Sequence, residues 1–199
     1  MASRWSLWPG RRVVPRNPLL AALGRADQSL LRFLRTRGHS EPIESTMKAL
    51  GLAGEFAAAW SVIGVIAASI DERRRAQWLA AAATGPVAVG VNFLVKVIMA
   101  RERPLIEEHP PLARAPTKLS FPSAHATSSV AAATALGRVE RRAQPALFVL
   151  ATAICVGRPY LGMHYPSDVL AGTVLGSVLG RAIPGLDGDR LAEPAAEPT

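Results

Sequence analysis

The chain has 199 residues, enough for one domain, with 49% hydrophobic and only 19% charged residues and a net charge of +8. This balance is too apolar for an ordinary soluble domain, and leaves anionic lipid, an anionic substrate or nucleic acid as partners. The arginines sit at the N-terminus and in short segments beside apolar runs, without a nucleic-acid motif and with few aromatics to stack on bases. That placement favours a lipid bilayer and argues against nucleic acid.

Residues 1–18 are basic with Trp5 and Trp8 interleaved and carry no apolar core of a signal peptide. They read as a flexible arm for anionic headgroups. Residues 19–37 place leucines and Phe33 at helical spacing among arginines, too charged to span, which predicts an interfacial amphipathic helix. Residues 49–70 form the first apolar span, long enough for a hydrocarbon core of about 30 Å. Glu55 interrupts it and is costly there unless it is near the interface, neutral or paired inside the bundle.

A second span covers 78–99, with a bend expected at Gly85-Pro86. Lys96 near its end, taken as an isolated lysine, reads first as a snorkelling side chain. Residues 100–120 are a Pro-rich, charged loop; Glu107, Glu108 and His109 there lack the spacing of a metal site. A helix of small residues follows over 121–137, with Pro122 expected in its first turn. Further spans cover 145–162 and 166–183, the last with Gly172, Gly176 and Gly180 spaced by four as a close-packing face. Cys155, the only cysteine, reads as a small buried hydrophobe. Residues 184–199 are acidic and Pro-rich and read as a disordered tail.

The expected fold class is all-α: an integral membrane bundle of about five transmembrane helices plus the N-terminal interfacial helix, with its core domain at 19–183. Alternation of the spans puts 100–120, the helix start near 121 and 157–168 on one side. Lys96, Arg103, Ser123, His125, Arg158, His164 and Asp168 therefore converge. His164 and Asp168, four apart, share a helical face, and the aspartate can fix the imidazole tautomer. Three cations and a helix N-terminus suit a phosphoryl group. The basic arm on that side favours the cytoplasm by the positive-inside rule, while Arg73–Arg75, Arg138, Arg141 and Arg142 pull the other way.

Three motifs carry a resemblance. Lys96 is followed after six residues by Arg103-Pro104; then comes Pro122-Ser123-Ala124-His125; then Arg158, five residues, His164, three residues and Asp168. This order and spacing resemble the signature of the type 2 phosphatidic acid phosphatase (PAP2) superfamily. The resemblance implies a phosphatase needing no metal and no cofactor. It makes His164 the nucleophile of a phosphohistidine intermediate, Asp168 its orienting partner and His125 the general acid. Lys96, Arg103, Ser123, Arg158 and the backbone N–H of Ala124 would bind the phosphate.

Ala124 replaces the family's usual Gly, and Gly157 its usual Ser. The implied substrate is a membrane lipid phosphate or diphosphate: polyprenyl phosphates, phosphatidic acid, phosphatidylglycerol phosphate or undecaprenyl diphosphate. The run SFPSAHATSS is similar to small actinobacterial members, some acting on decaprenylphosphoryl-5-phosphoribose in cell-wall synthesis, which implies a bacterial plasma membrane. A non-catalytic membrane scaffold and a vanadium haloperoxidase-type oxidoreductase are the readings from other classes. The intact histidine pair opposes the first and the apolar spans the second. The oligomeric state is left open.

Overall fold

A computed structural model describes residues 18–106 and 108–186. The arm at 1–17 and the tail from 187 onward lie outside the described residues. Among the described residues there are seven α-helices: α1 (Pro18–Thr36), α2 (Glu41–Ala53), α3 (Ala58–Ile70), α4 (Arg75–Met99), α5 (Ala124–Val139), α6 (Gln144–Tyr160) and α7 (Pro166–Ala182). No β-strand occurs among them; one isolated bridge joins Glu102 to Leu119.

Helix α5 is the central post, packed against α4, α6 and α7. Its alanines, serines and threonines are buried along nearly its whole length, because small side chains let neighbouring backbones approach. Its fit to α7 depends on glycine. A Cβ on Gly172 would lie 2.7 Å from the carbonyl oxygen of Ser123, and one on Gly180 2.6 Å from that of Ala131. Gly176 meets the Thr127 carbonyl still more closely. The four-residue stripe on α7 thus runs along a four-residue row of carbonyls on α5.

Trp60, Leu136 and Ile154 fill the core, but many other large apolar side chains point outward. Val62, Val65 and Ile66 on α3, Phe93, Leu94 and Ile98 on α4, Val149 on α6, and Leu170, Val174 and Val178 on α7 are all exposed. An apolar exterior around a central helix of small and polar side chains suits a hydrocarbon surround. Residues Glu72–Met99 form one helical stretch long and apolar enough to cross a membrane. The chain runs through Gly85-Pro86 within α4 without leaving the helix. Cys155 is buried beside Ala126 and Val130, as a small hydrophobe.

Two local expectations are corrected. The single span over 49–70 is a broken helix. α2 begins earlier, at Glu41, and ends at Ala53; Phe56 (φ 50°) and Ala57 (φ 62°) are left-handed. The stretches on either side are bent by 53°, and only together are they long and apolar enough to cross. Apolar periodicity is blind to such a reversal of the backbone. The break occurs where Gly54 approaches the bundle, with its Cβ position 3.2 Å from Cδ2 of His125. It puts Glu55, half-buried, at the bend instead of inside a continuous span. The second correction concerns Pro122. It precedes the N-cap Ser123 and lies outside the first turn of α5, which starts at Ala124.

Candidate active site

Ala100, left-handed at φ 46°, ends α4 and turns the chain back across its end. Ser120 N–H donates to the Arg101 carbonyl at 2.7 Å and Arg103 N–H to the Lys118 carbonyl at 3.0 Å. The returning arm of this loop clamps Lys96. Its side chain is 5% exposed, and Nζ donates to the carbonyls of Leu119 (3.3 Å), Ser120 (3.2 Å) and Pro122 (3.0 Å). The snorkelling reading of Lys96 is therefore corrected: carbonyls brought from 20-odd residues away replace its water.

Arg103 reaches across to the α6–α7 loop. Its Nε donates to the Thr117 carbonyl at 2.9 Å, and its Nη1 to the Met163 carbonyl at 2.6 Å. The same Nη1 stands 3.1 Å from Nε2 of His164. Arg158, near the end of α6, is 4% exposed, and its Nε and Nη2 have no hydrogen-bond partner. Among the described residues none of these three cations makes an ion pair with a carboxylate. Cations shielded from water and not neutralised by a carboxylate form a strong attractor for an anion.

His164 is 3% exposed and Asp168 fully buried behind it. Nδ1 of His164 lies 3.5 Å from Oδ2 of Asp168, longer than a formed hydrogen bond and short enough to close when substrate binds. With Nδ1 protonated toward the carboxylate, Nε2 keeps its lone pair on the Arg103 side. Burial pushes the His164 imidazole down to about 4, against the upward pull of Asp168, so the ring is neutral at physiological pH.

These groups border a cavity of about 350 Å³. Lys96, Arg103, Ala124, His125, Arg158 and His164 line its polar end; Leu52, Phe56, Val89 and Phe93 line an apolar flank. Ser123 and Asp168 do not reach the lining. The Ser123 hydroxyl caps α5, accepting from Ala126 N–H at 3.5 Å, while Asp168 sits behind the histidine. All eight residues expected at the site thus gather at one end of the bundle, six on the cavity and two supporting it.

Gly157 also lies off the cavity lining. A Cβ there would stand 3.3 Å from Sδ of Met47, so the hydroxyl usual at this position would be directed toward α2. Three residues carried no signal in the sequence. Gly51 accepts from Nε2 of His125 at 2.9 Å through its carbonyl, and a Cβ on it would collide with the Arg158 guanidinium. Asn92, on the cavity lining, donates to Thr127 Oγ1 at 2.9 Å and ties α4 to α5. Arg101 donates to Oδ1 of Asp168 at 2.8 Å. Each acts through a partner distant in sequence, so no local pattern marks it.

A family model described as the PAP2 superfamily matches residues 76–190, a stretch that includes Lys96 through Asp168. The chain belongs to the PAP2 superfamily. It is 38% identical over 149 residues to a decaprenylphosphoryl-5-phosphoribose phosphatase of Mycobacterium tuberculosis, covering 73% of this chain and 81% of that protein. It is 39% identical over 128 residues to the protein of the same name in Mycolicibacterium smegmatis, covering 63% and 68%.

The fold is that of the transmembrane PAP2-type phosphatidylglycerolphosphate phosphatase of Bacillus subtilis, with a TM-score of 0.67 at 21% identity over 80% of this chain and 83% of the other. Aquifex aeolicus LpxE gives 0.59 at 20% identity over 77% and 92%. This PAP2 protein is accordingly a phosphoric ester hydrolase, and its apolar exterior is that of a membrane protein.

Proposed function

We propose that this PAP2 phosphatase removes the phosphate from a polyprenyl-linked phosphoribose, decaprenylphosphoryl-5-phosphoribose or a near analogue, through a phosphohistidine. The observation that carries the reading is the cluster of buried Lys96 and Arg158 with half-buried Arg103 around His125 and His164, without a carboxylate partner among the described residues. The apolar flank of Leu52, Phe56, Val89 and Phe93 beside that charge suits a phosphate attached to lipid. The names of the two mycobacterial relatives supply the headgroup.

The reaction runs in two displacements. Nε2 of His164 attacks phosphorus as the bond to the ester oxygen breaks, and His125, entering the step as the imidazolium, gives one proton to that oxygen and is left neutral. The Asp168 carboxylate takes up the charge that grows on the His164 ring. Water then attacks the phosphohistidine and returns a proton to His125, the P–N bond breaks, and inorganic phosphate leaves. The three cations and the first N–H groups of α5, Ala124 among them, stabilise the equatorial oxygens. The Ser123 hydroxyl accepts the cap amide and so holds the start of α5 at the site. In the resting site Nε2–H of His125 is held by the Gly51 carbonyl. Every group in this sequence is a side chain or backbone amide of the chain itself.

In the membrane, the bent α2–α3 pair, α4, α5, α6 and α7 would make the five crossings of a multi-pass bacterial plasma-membrane protein. α1 would lie at the headgroups, residues 1–18 would be the basic arm, and the domain would span 19–183 ahead of the 184–199 tail. The test is phosphate release by the purified protein in detergent with EDTA. The panel holds decaprenylphosphoryl-5-phosphoribose, polyprenyl phosphates and diphosphates, phosphatidic acid and phosphatidylglycerol phosphate. Release from the phosphoribose lipid, lost in His164→Ala, is expected. Preference for a glycerolipid would overturn the headgroup, and wild-type turnover by the variant would overturn the mechanism.

A further inference from the structure

Asp27 lies on α1, far from the three motifs in sequence, yet its side chain is only 9% exposed. Its Oδ1 accepts from the backbone N–H of Ser167 at 2.9 Å, in the first turn of α7. Its Oδ2 accepts from the Ser167 hydroxyl at 2.5 Å and from Nη2 of Arg101 at 2.8 Å. The other fork of Arg101 donates through Nη1 to Ser167 Oγ at 2.7 Å and to Oδ1 of Asp168 at 2.8 Å. The guanidinium also stacks over the Tyr165 ring, 4.0 Å from its centroid.

Oδ1 of Asp168 is thus taken by Arg101. Oδ2 accepts Tyr165 N–H at 2.9 Å and faces His164. The planar fork bridges two carboxylates and fixes the plane of the inner one.

We propose that Asp27 is a positioning residue for the reaction: through Arg101 and Ser167 it sets the Asp168 carboxylate against His164. This role rests on His164 and Asp168 acting as described above. Asp27 balances the Arg101 charge, which otherwise falls wholly on Asp168 and weakens its hold on the imidazolium. It also caps the helix that carries Asp168, so the turn 165–168 keeps its register. The N-terminal helix thereby becomes part of the catalytic apparatus.

The experiment measures kcat and KM for phosphate release from decaprenylphosphoryl-5-phosphoribose by the full chain in detergent. The variants are Asp27→Asn, Asp27→Glu, Asp168→Asn, the Asp27→Asn/Asp168→Asn double variant and His164→Ala. Asp27→Asn is expected to lower kcat about 10- to 100-fold with KM within about twofold, as loss of an orienting partner does. Asp27→Glu should recover most of that loss. In the Asp168→Asn background, Asp27→Asn should cost little more, because the two act as one unit.

Unchanged kcat in Asp27→Asn would overturn the proposal. So would a loss of the same size in both backgrounds, which marks a general structural effect. Wild-type activity in His164→Ala would instead remove the reading on which the proposal stands, whatever Asp27 does.

Discussion

Gly51 carries no chemistry of its own, yet it touches two groups of the site from a helix outside the three motifs. Its carbonyl holds His125, and its missing Cβ leaves the space that the Arg158 guanidinium fills. Gly51→Ala should displace Arg158 and lower kcat/KM for phosphate release at least about tenfold, as a small misplacement of a binding group does. The folded state should survive, because the collision falls on the far end of a flexible side chain. Steady-state kinetics alongside a thermal melt in detergent check both parts.

His164 makes a pH prediction. Its pKa is lowered from 6.5 to about 4 by burial, so the free enzyme keeps a neutral nucleophile down to that range. The His164 acid limb of kcat/KM should therefore fall near pH 4 and not near 6.5. Stability follows with a definite sign. Between pH 6.5 and about 4 the unfolded chain binds a proton that the folded chain refuses, so this group erodes stability as pH falls through that window. Kinetics and chemical denaturation across pH 4–7 read the two effects.

At the level of elements, the α5–α7 contact is set by the glycines. Gly176→Val places a side chain against the Thr127 carbonyl, where backbone must move to admit it. The cost expected for such overpacking is about 1–3 kcal/mol, read as a lower melting temperature in detergent. Gly90, with open space beyond it, should tolerate alanine with no such loss. These elements were largely legible in the sequence, because long apolar runs and four-residue glycine spacing are local signals. The α2–α3 break was not, since it depends on Gly54 meeting α5 and α6. The environment of Lys96 was not either, since its carbonyls arrive from a loop that has no pattern of its own.

Across the whole molecule, α1 sits on the side that carries the active site, joined to it by Asp27 and by Arg35 donating to the Pro110 carbonyl at 2.8 Å, while His39 in the α1–α2 connection stacks on Tyr160. The opposite end holds Arg74 between Asp71 (2.6 Å) and Glu140 (3.1 Å). Arginines at that end are thus partly balanced, whereas the N-terminal arm is a run of basic charge. We propose on this ground that the site faces the cytoplasm. A reporter active only in the periplasm, fused at the C-terminus after five crossings, should be active; the same reporter at the N-terminus should be silent.

The superfamily, the motif residues at the polar end of the cavity and the helical, membrane-suited character of the chain could all be read from the sequence. Motif spacing and apolar runs are properties of short stretches, and the chemistry of phosphate demands particular side chains at particular intervals. How those side chains are held follows from the folded packing: the carbonyl clamp on Lys96, the space for Arg158 beside Gly51, and the bridge from Asp27 to Asp168. Each is an interaction between groups distant along the chain, and such contacts acquire their energy only when folding removes water from both partners at once.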